Sequence, residues 1–203
     1  MTPRPSARRR SPSGCSRRSA SCRRRGSRSR SDVVAPDAVQ QLLDREQLRD
    51  LVARYALTVD DHDLVGLEAM FHPEAVFDRD GVVAHGWPEI AAVLGASMRG
   101  FRRMLHTPHA AVVELTGPDE AVGASSGHAE LVTRSGVLLA AYRYADAFVR
   151  HEGRWVFSRR EVRFLYAASA VEYAATLPHE DRVRFPGEPA RESYIRPNDT
   201  QGY

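Results

Sequence analysis

The stretch DREQLRDLVARYALTVDDHD (44–63) places Leu48, Leu51, Val52, Tyr55, Ala56 and Val59 at i, i+3, i+4, i+7, i+8 and i+11. That spacing is one apolar stripe of an amphipathic helix. Asp44, with Gln47 three residues on, resembles a capping box and predicts the helix start there. A second short helix fits DLVGLEAMF (63–71) until Pro73 stops it, and residues 75–85 read as two short strands around the Asp80-Gly81 turn. Pro88 can occupy the first turn of a third helix that fades at Gly100.

From Met104 the pattern changes to that of strands. About four are expected, over 104–115, 120–134, 137–150 and 154–166, separated by TGPD, SG and HEG turns. Consecutive long strands with tight turns predict antiparallel neighbours. The small-residue run Gly123–Gly127 predicts a sharp bend or the close approach of a helix. Helices first and a long meander afterwards argue an α+β fold, with the helices on one face of a curved antiparallel sheet.

The 203 residues suffice for one folded unit with a core. Three segments are expected: a tail over 1–36, a domain over 37–167, and a C-terminal extended arm over 168–203 that carries four prolines. The tail is Arg/Ser-rich and offers nothing to offset ordering entropy, so disorder is expected. It reads either as a basic arm for anionic polymers or as an upstream stretch translated from a start codon placed too early, with Val33 or Val34 as the alternative. Eleven of the 29 cations lie within residues 1–31, whereas the remainder sets 18 Arg against 26 Asp and Glu, a net −8. The foldable part would repel a phosphate backbone, so nucleic acid is not an expected partner.

Cys15 and Cys22 both sit in the tail, which removes disulfide and thiolate-metal chemistry from the domain. There is no apolar run of about 18 residues and no apolar signal stretch, which predicts no membrane partner and a cytoplasmic protein. GASSG (123–127) matches G-x-S-x-G, but strand continues on both sides where a nucleophile elbow needs a strand-to-helix turn. His106 and His109, three apart, point to opposite faces of a strand, and His128 is no convincing third ligand; no metal is expected.

His106 gains weight from Tyr55 and Asp60 near the end of the first helix and from Arg160 on the last strand. In an apolar cleft the four would supply a proton acceptor, a carboxylate to orient it, a phenol donor and a cation for an oxyanion. Positions i and i+5 of a helix lie about 140° apart, so Tyr55 and Asp60 converge only if the helix ends or tightens before Asp60. Capping of the next helix is the structural alternative for Asp60 and Asp63.

RYALTVDDHDLVGLEAMFHPEAVF (54–77) resembles the opening signature of the SnoaL-like, NTF2-like superfamily. The likeness continues through HGWPEI (85–90), LHTPHAAVVEL (105–115), Glu120-Ala121 and YADAFVRHEGRWVFSRR (144–160), and covers roughly residues 40–166. It implies a cone-shaped α+β barrel in which three N-terminal helices and a curved sheet enclose a pocket, dimerising through the outer sheet face. In the branch of scytalone dehydratase and bile acid 7α-dehydratase, it implies catalysis by Tyr55, Asp60, His106 and Arg160 without a cofactor, on a small hydrophobic ring-containing ligand. Arg159 or Arg163 could take the place of Arg160, since strand parity puts them on the other face. The expected function is a lyase or isomerase, dehydratase-like, acting on a polycyclic or ketonic molecule. The alternatives are a non-catalytic binding or accessory protein, and a scaffold whose cavity is filled by Phe101, Trp155 or Phe164.

Overall fold

The computed structural model describes residues 36–194, with side chains from Asp37 onward. The basic N-terminal tail and the last nine residues of the C-terminal arm lie outside that range. The elements run α1 (Pro36–Asp60), α2 (Leu64–Glu68), β1 (Phe71–Arg79), β2 (Val82–His85), α3 (Gly86–Gly100), β3 (Arg103–Pro108), β4 (Val112–Leu115), β5 (Glu120–Val132), β6 (Val137–His151), β7 (Arg154–Ser169) and α4 (Tyr173–Thr176). Three N-terminal helices are joined by this fourth short one beyond the last strand.

All six residues of the predicted α1 stripe are buried. The helix nevertheless starts at Pro36, and Asp44 is no cap. Its carboxylate, 4% exposed, accepts from Gln40 Nε2, Arg150 Nη2 and Trp155 Nε1. An acceptor recruited by partners more than 100 residues away leaves no local trace that distinguishes it from a cap.

The sheet order is β2-β1-β7-β6-β5-β3, with β4 also paired to β5. The expected strand over 104–115 breaks in two, because Pro108 offers no N–H to continue the ladder and the chain resumes at Val112. The sheet is mixed rather than wholly antiparallel. β1 pairs in parallel with β7, Phe77 opposite Arg160. It is also open, since β2 and β3 end the path without pairing. α1 packs against β3, β4 and β7, although β3 and β7 are separated by two strands. One helix can touch both only if the sheet curls around it. α3 covers β1 and β2.

The small-residue run on β5 serves neighbouring strands, not a helix. A Cβ on Gly127 would stand 2.5 Å from Tyr142 Oη and 2.8 Å from the Thr107 carbonyl, and one on Gly123 would meet Phe148 and the Val112 carbonyl at 3.0 Å. Gly127 thus makes room for the Tyr142 ring beside it in the sheet. Gly127→Ala should destabilise the fold by about 1–3 kcal/mol, the usual cost of overpacking. The urea midpoint reads this, and an unchanged midpoint would mean that Tyr142 can move aside freely.

Beyond α4 the chain turns back. Val183 bridges Ala167 in parallel and Arg191 antiparallel, and the Tyr194 N–H donates to the Phe164 carbonyl. This strap, 182–194, presents Phe185 to the concave side, where its ring meets Phe164 edge to face at 4.8 Å.

Candidate active site

A hollow lies between α1, α3 and the concave sheet face, with about 620 Å³ free of atoms when its open mouth is included. Its wall is mostly apolar: Val59, Leu94, Met98, Leu131, Val162 and Phe164 among others. Phe101 and Phe164 are wall residues rather than a plug, and Trp155 turns away to Asp44. A smaller, more polar hollow adjoins it, lined by Tyr55, His106, Ser125, Tyr142, Tyr144 and Arg160. His106 and the three tyrosines border both.

Asp60 closes α1 and grips His106 on β3. One carboxylate oxygen accepts the His106 backbone N–H at 2.8 Å, and the other lies 2.6 Å from Nδ1. A carboxylate only accepts, so the tautomer that fits this contact carries its hydrogen on Nδ1 and its lone pair on Nε2. Both side chains are largely buried, at 13% and 15% exposure. Asp63, not Asp60, caps the next helix, accepting from the Gly66 N–H.

Tyr55 and Arg160 form a second pair, deeper in. The Arg160 guanidinium carbon sits 4.0 Å from the Tyr55 ring centroid, 3.7 Å from Tyr144 and 4.4 Å from Phe157. Its countercharge is Asp146, with Nη1 3.6 Å from Oδ2, and both side chains are 1% exposed. Among the described residues Nε and Nη1 of Arg160 and both Asp146 oxygens have no hydrogen-bond partner. Burial pushes the Asp146 carboxyl up to about 6, against the pull of Arg160. Burial likewise holds the Tyr55 phenol well above its ordinary value, so it can donate a hydrogen bond but does not ionise near neutrality.

The four expected residues therefore meet as two pairs. Tyr142 and Tyr144 join them: the Tyr142 ring is 5.7 Å from His106 and 5.1 Å from Tyr144, which is 6.0 Å from Tyr55. α1 stays helical through Asp60, so Tyr55 and Asp60 do not converge directly; Tyr55 lines both hollows, and Asp60 stands behind the imidazole. Helical periodicity and single-residue chemistry do not single out Tyr142, Tyr144 or Asp146. The signal was their alternation in YRYAD, three polar-tipped side chains two apart on one strand face.

Of the three arginines, Arg160 lines the smaller of these two hollows, and Arg159 and Arg163 line neither. Arg159 and Arg163 point the other way, and the Arg163 fork binds both oxygens of Asp78 at 2.8 Å, holding that carboxyl down at about 2. His109 turns to Ser126 and His128 in an exposed chain, with Nε2 3.0 Å from His128 Nδ1. Among the described residues no group of three or more His, Cys, Asp or Glu side chains could hold a metal ion. Ser125 lies within an unbroken strand, without the elbow a serine nucleophile needs. Among them too, no helix is long and apolar enough to cross a membrane.

The family model described as the SnoaL-like domain matches residues 40–161, well over half of the chain. The chain belongs to this family. As a SnoaL-like domain it shares its fold with a candidate scytalone dehydratase from Novosphingobium aromaticivorans, at 18% identity over 74% of this chain and 98% of that one, TM-score 0.62. A hexachlorocyclohexane dehydrochlorinase, LinA-type3, from Novosphingobium barchaimii is 19% identical over 64% and 92%, TM-score 0.60. A protein of unknown function from Mycobacterium tuberculosis is 24% identical over 70% and 82%, TM-score 0.59. No curated protein sequence matches. At these identities the solved structures bear on the fold of the SnoaL-like domain alone, an α+β arrangement of helices on a curved sheet.

Proposed function

We propose that this SnoaL-like protein is a cofactor-independent lyase or isomerase that removes a proton from a ring-containing, ketonic or hydroxylated small molecule. The observation that carries this reading is the two-point grip of Asp60 on His106 at the border of an apolar hollow. A base used near neutral pH needs a fixed tautomer, a fixed direction and a site poor in water, and this arrangement supports all three. His106 Nε2 takes the proton from the carbon next to a carbonyl. The C–H electron pair becomes the new double bond, and the C–O pair of a neighbouring hydroxyl leaves with its oxygen, which takes the proton back from the His106 imidazolium and departs as water, so that the base returns to its neutral form. Asp60 balances the imidazolium. Tyr55 donates a hydrogen bond toward developing negative charge, and the buried guanidinium of Arg160 stabilises it over a short distance in a low dielectric. The names of two proteins that share the fold, a dehydrochlorinase and a candidate dehydratase, describe loss of HCl or water and agree with this class of step.

The base can be tested without the native substrate. Nitrobenzisoxazole opens when a base removes its ring proton, the N–O bond breaking to give a cyanophenolate. The protein should accelerate this opening over free imidazole at equal concentration, and Asp60→Asn should lower the rate by at least about tenfold, because the tautomer is no longer fixed. Opening no faster than with free imidazole would leave a ligand-binding protein in place of an enzyme.

A further inference from the structure

β1 lines the hollow with Phe77 and Arg79, and the second of these puts a cation beside the apolar side chains of Leu94, Met98, Phe164 and Phe185. The Arg79 guanidinium carbon lies 5.5 Å from the Phe164 ring centroid and 5.0 Å from that of Phe185 on the strap. Among the described residues only one carboxylate comes within 4.0 Å of it, Glu188 Oε1 at 3.7 Å, and no acceptor is within hydrogen-bond distance. The neighbouring cations differ. Arg163 is bidentate on Asp78, and Arg191 takes the other Glu188 oxygen at 2.9 Å as well as Asp80. Glu188 is thus held more closely by Arg191, and Arg79, 20% exposed, keeps a planar fork of donors that rests beside the Phe164–Phe185 ring pair with no hydrogen-bond acceptor among the described residues.

We infer that Arg79 is the anion-recognising residue of the hollow, and that the ligand is an apolar ring compound carrying an oxyanion, such as a carboxylate or sulfonate, that can accept two parallel N–H donors. A guanidinium in this state pairs with such a group through two parallel N–H donors, and aromatic faces hold its plane without competing for those donors. Arg79 and His106 stand on β1 and β3, four strands apart along a curved sheet, so they face each other across the hollow. The anion and the reacting carbon then lie at opposite ends of one apolar body. This inference rests on the hollow being the ligand site, as the proposed function holds, and adds the substrate class and its orientation.

Two fluorescent probes that differ only in the anion test it: anilinonaphthalene sulfonate and its uncharged parent, N-phenylnaphthylamine. Arg79→Gln should weaken sulfonate binding by at least about tenfold and leave the neutral probe within about twofold, with Arg79→Lys falling between, since Lys keeps the charge without the fork. Glu188→Gln should move the sulfonate the other way, tightening it about threefold by removing the competing carboxylate. Equal losses of both probes in Arg79→Gln would reduce the residue to a clamp for the strap and overturn the inference. Sulfonate binding unchanged in that variant overturns it as well, and so does failure of the wild type to bind either probe, which also sinks the hollow as a ligand site. Probe ratios as expected without ring-opening catalysis would remove the base and keep the anion site, and catalysis with unshifted ratios would do the reverse.

Discussion

His106→Ala should slow the opening of nitrobenzisoxazole by at least about a hundredfold, the lower range for loss of a positioned general base. Its thermal unfolding should move little. The imidazole borders two hollows, so its loss enlarges existing space and removes a partner from Asp60 without uncovering a packed core. The Asp60 carboxylate keeps the backbone N–H of residue 106 as a donor, so the end of α1 stays tethered to β3. A rate within a few-fold of wild type, with folding intact, would discard His106 as the base and with it the role assigned to Asp60. A comparable loss of both rate and melting temperature would mean that the ring is a structural wedge.

The second large effect falls on stability. Arg160→Met removes the one cation paired with Asp146 among the described residues and should cost about 3–5 kcal/mol near pH 8, the usual penalty for stranding a buried charge. The sign of its pH dependence follows from Asp146. Its folded-state pKa, about 6, lies above the ordinary Asp value of 3.8, so the folded state binds the extra proton and stability falls as pH rises between the two. Without Arg160 that folded pKa climbs further, and the window of loss extends upward. The gap between wild type and Arg160→Met should therefore be widest in alkaline solution and shrink toward pH 4, where Asp146 is protonated in both and the wild type holds its buried guanidinium against Tyr55, Tyr144 and Phe157 without the countercharge. Replacing both members, Arg160→Met with Asp146→Leu, should recover most of the stability, as for other buried pairs exchanged for apolar side chains. Urea melts at several pH values read all three variants. A constant gap would show that Asp146 is not the uncompensated charge.

Much of the architecture was legible because it is written in local periods. The α1 stripe from Leu48 to Val59 is buried as its spacing dictates, and the turn at Asp80-Gly81 joins β1 to β2. The parallel pairing of β1 with β7 was not legible. About eighty residues separate Phe77 from Arg160, and nothing in either strand names its partner; the pairing follows from how the whole sheet wraps α1. The candidate site divides the same way. Asp60 and His106 carry recognisable chemistry and a resemblance that placed them. Tyr142, Tyr144 and Asp146 differ from ordinary strand residues only in facing inward, which parity allows but does not fix. Arg79 was hidden for a related reason: an arginine ending a strand is usually solvated, and only the strap with Phe185 and Glu188 makes it part of a wall.

The contact between Asp60 and His106 spans 46 residues and is also the rivet between the helical layer and one edge of the sheet. Peeling α1 from β3 breaks it while β5, β6 and β7 still hold one another. Heat or denaturant would then disarm the protein before it melts, and activity would report the seating of a single helix sooner than any spectroscopic measure of the β-structure.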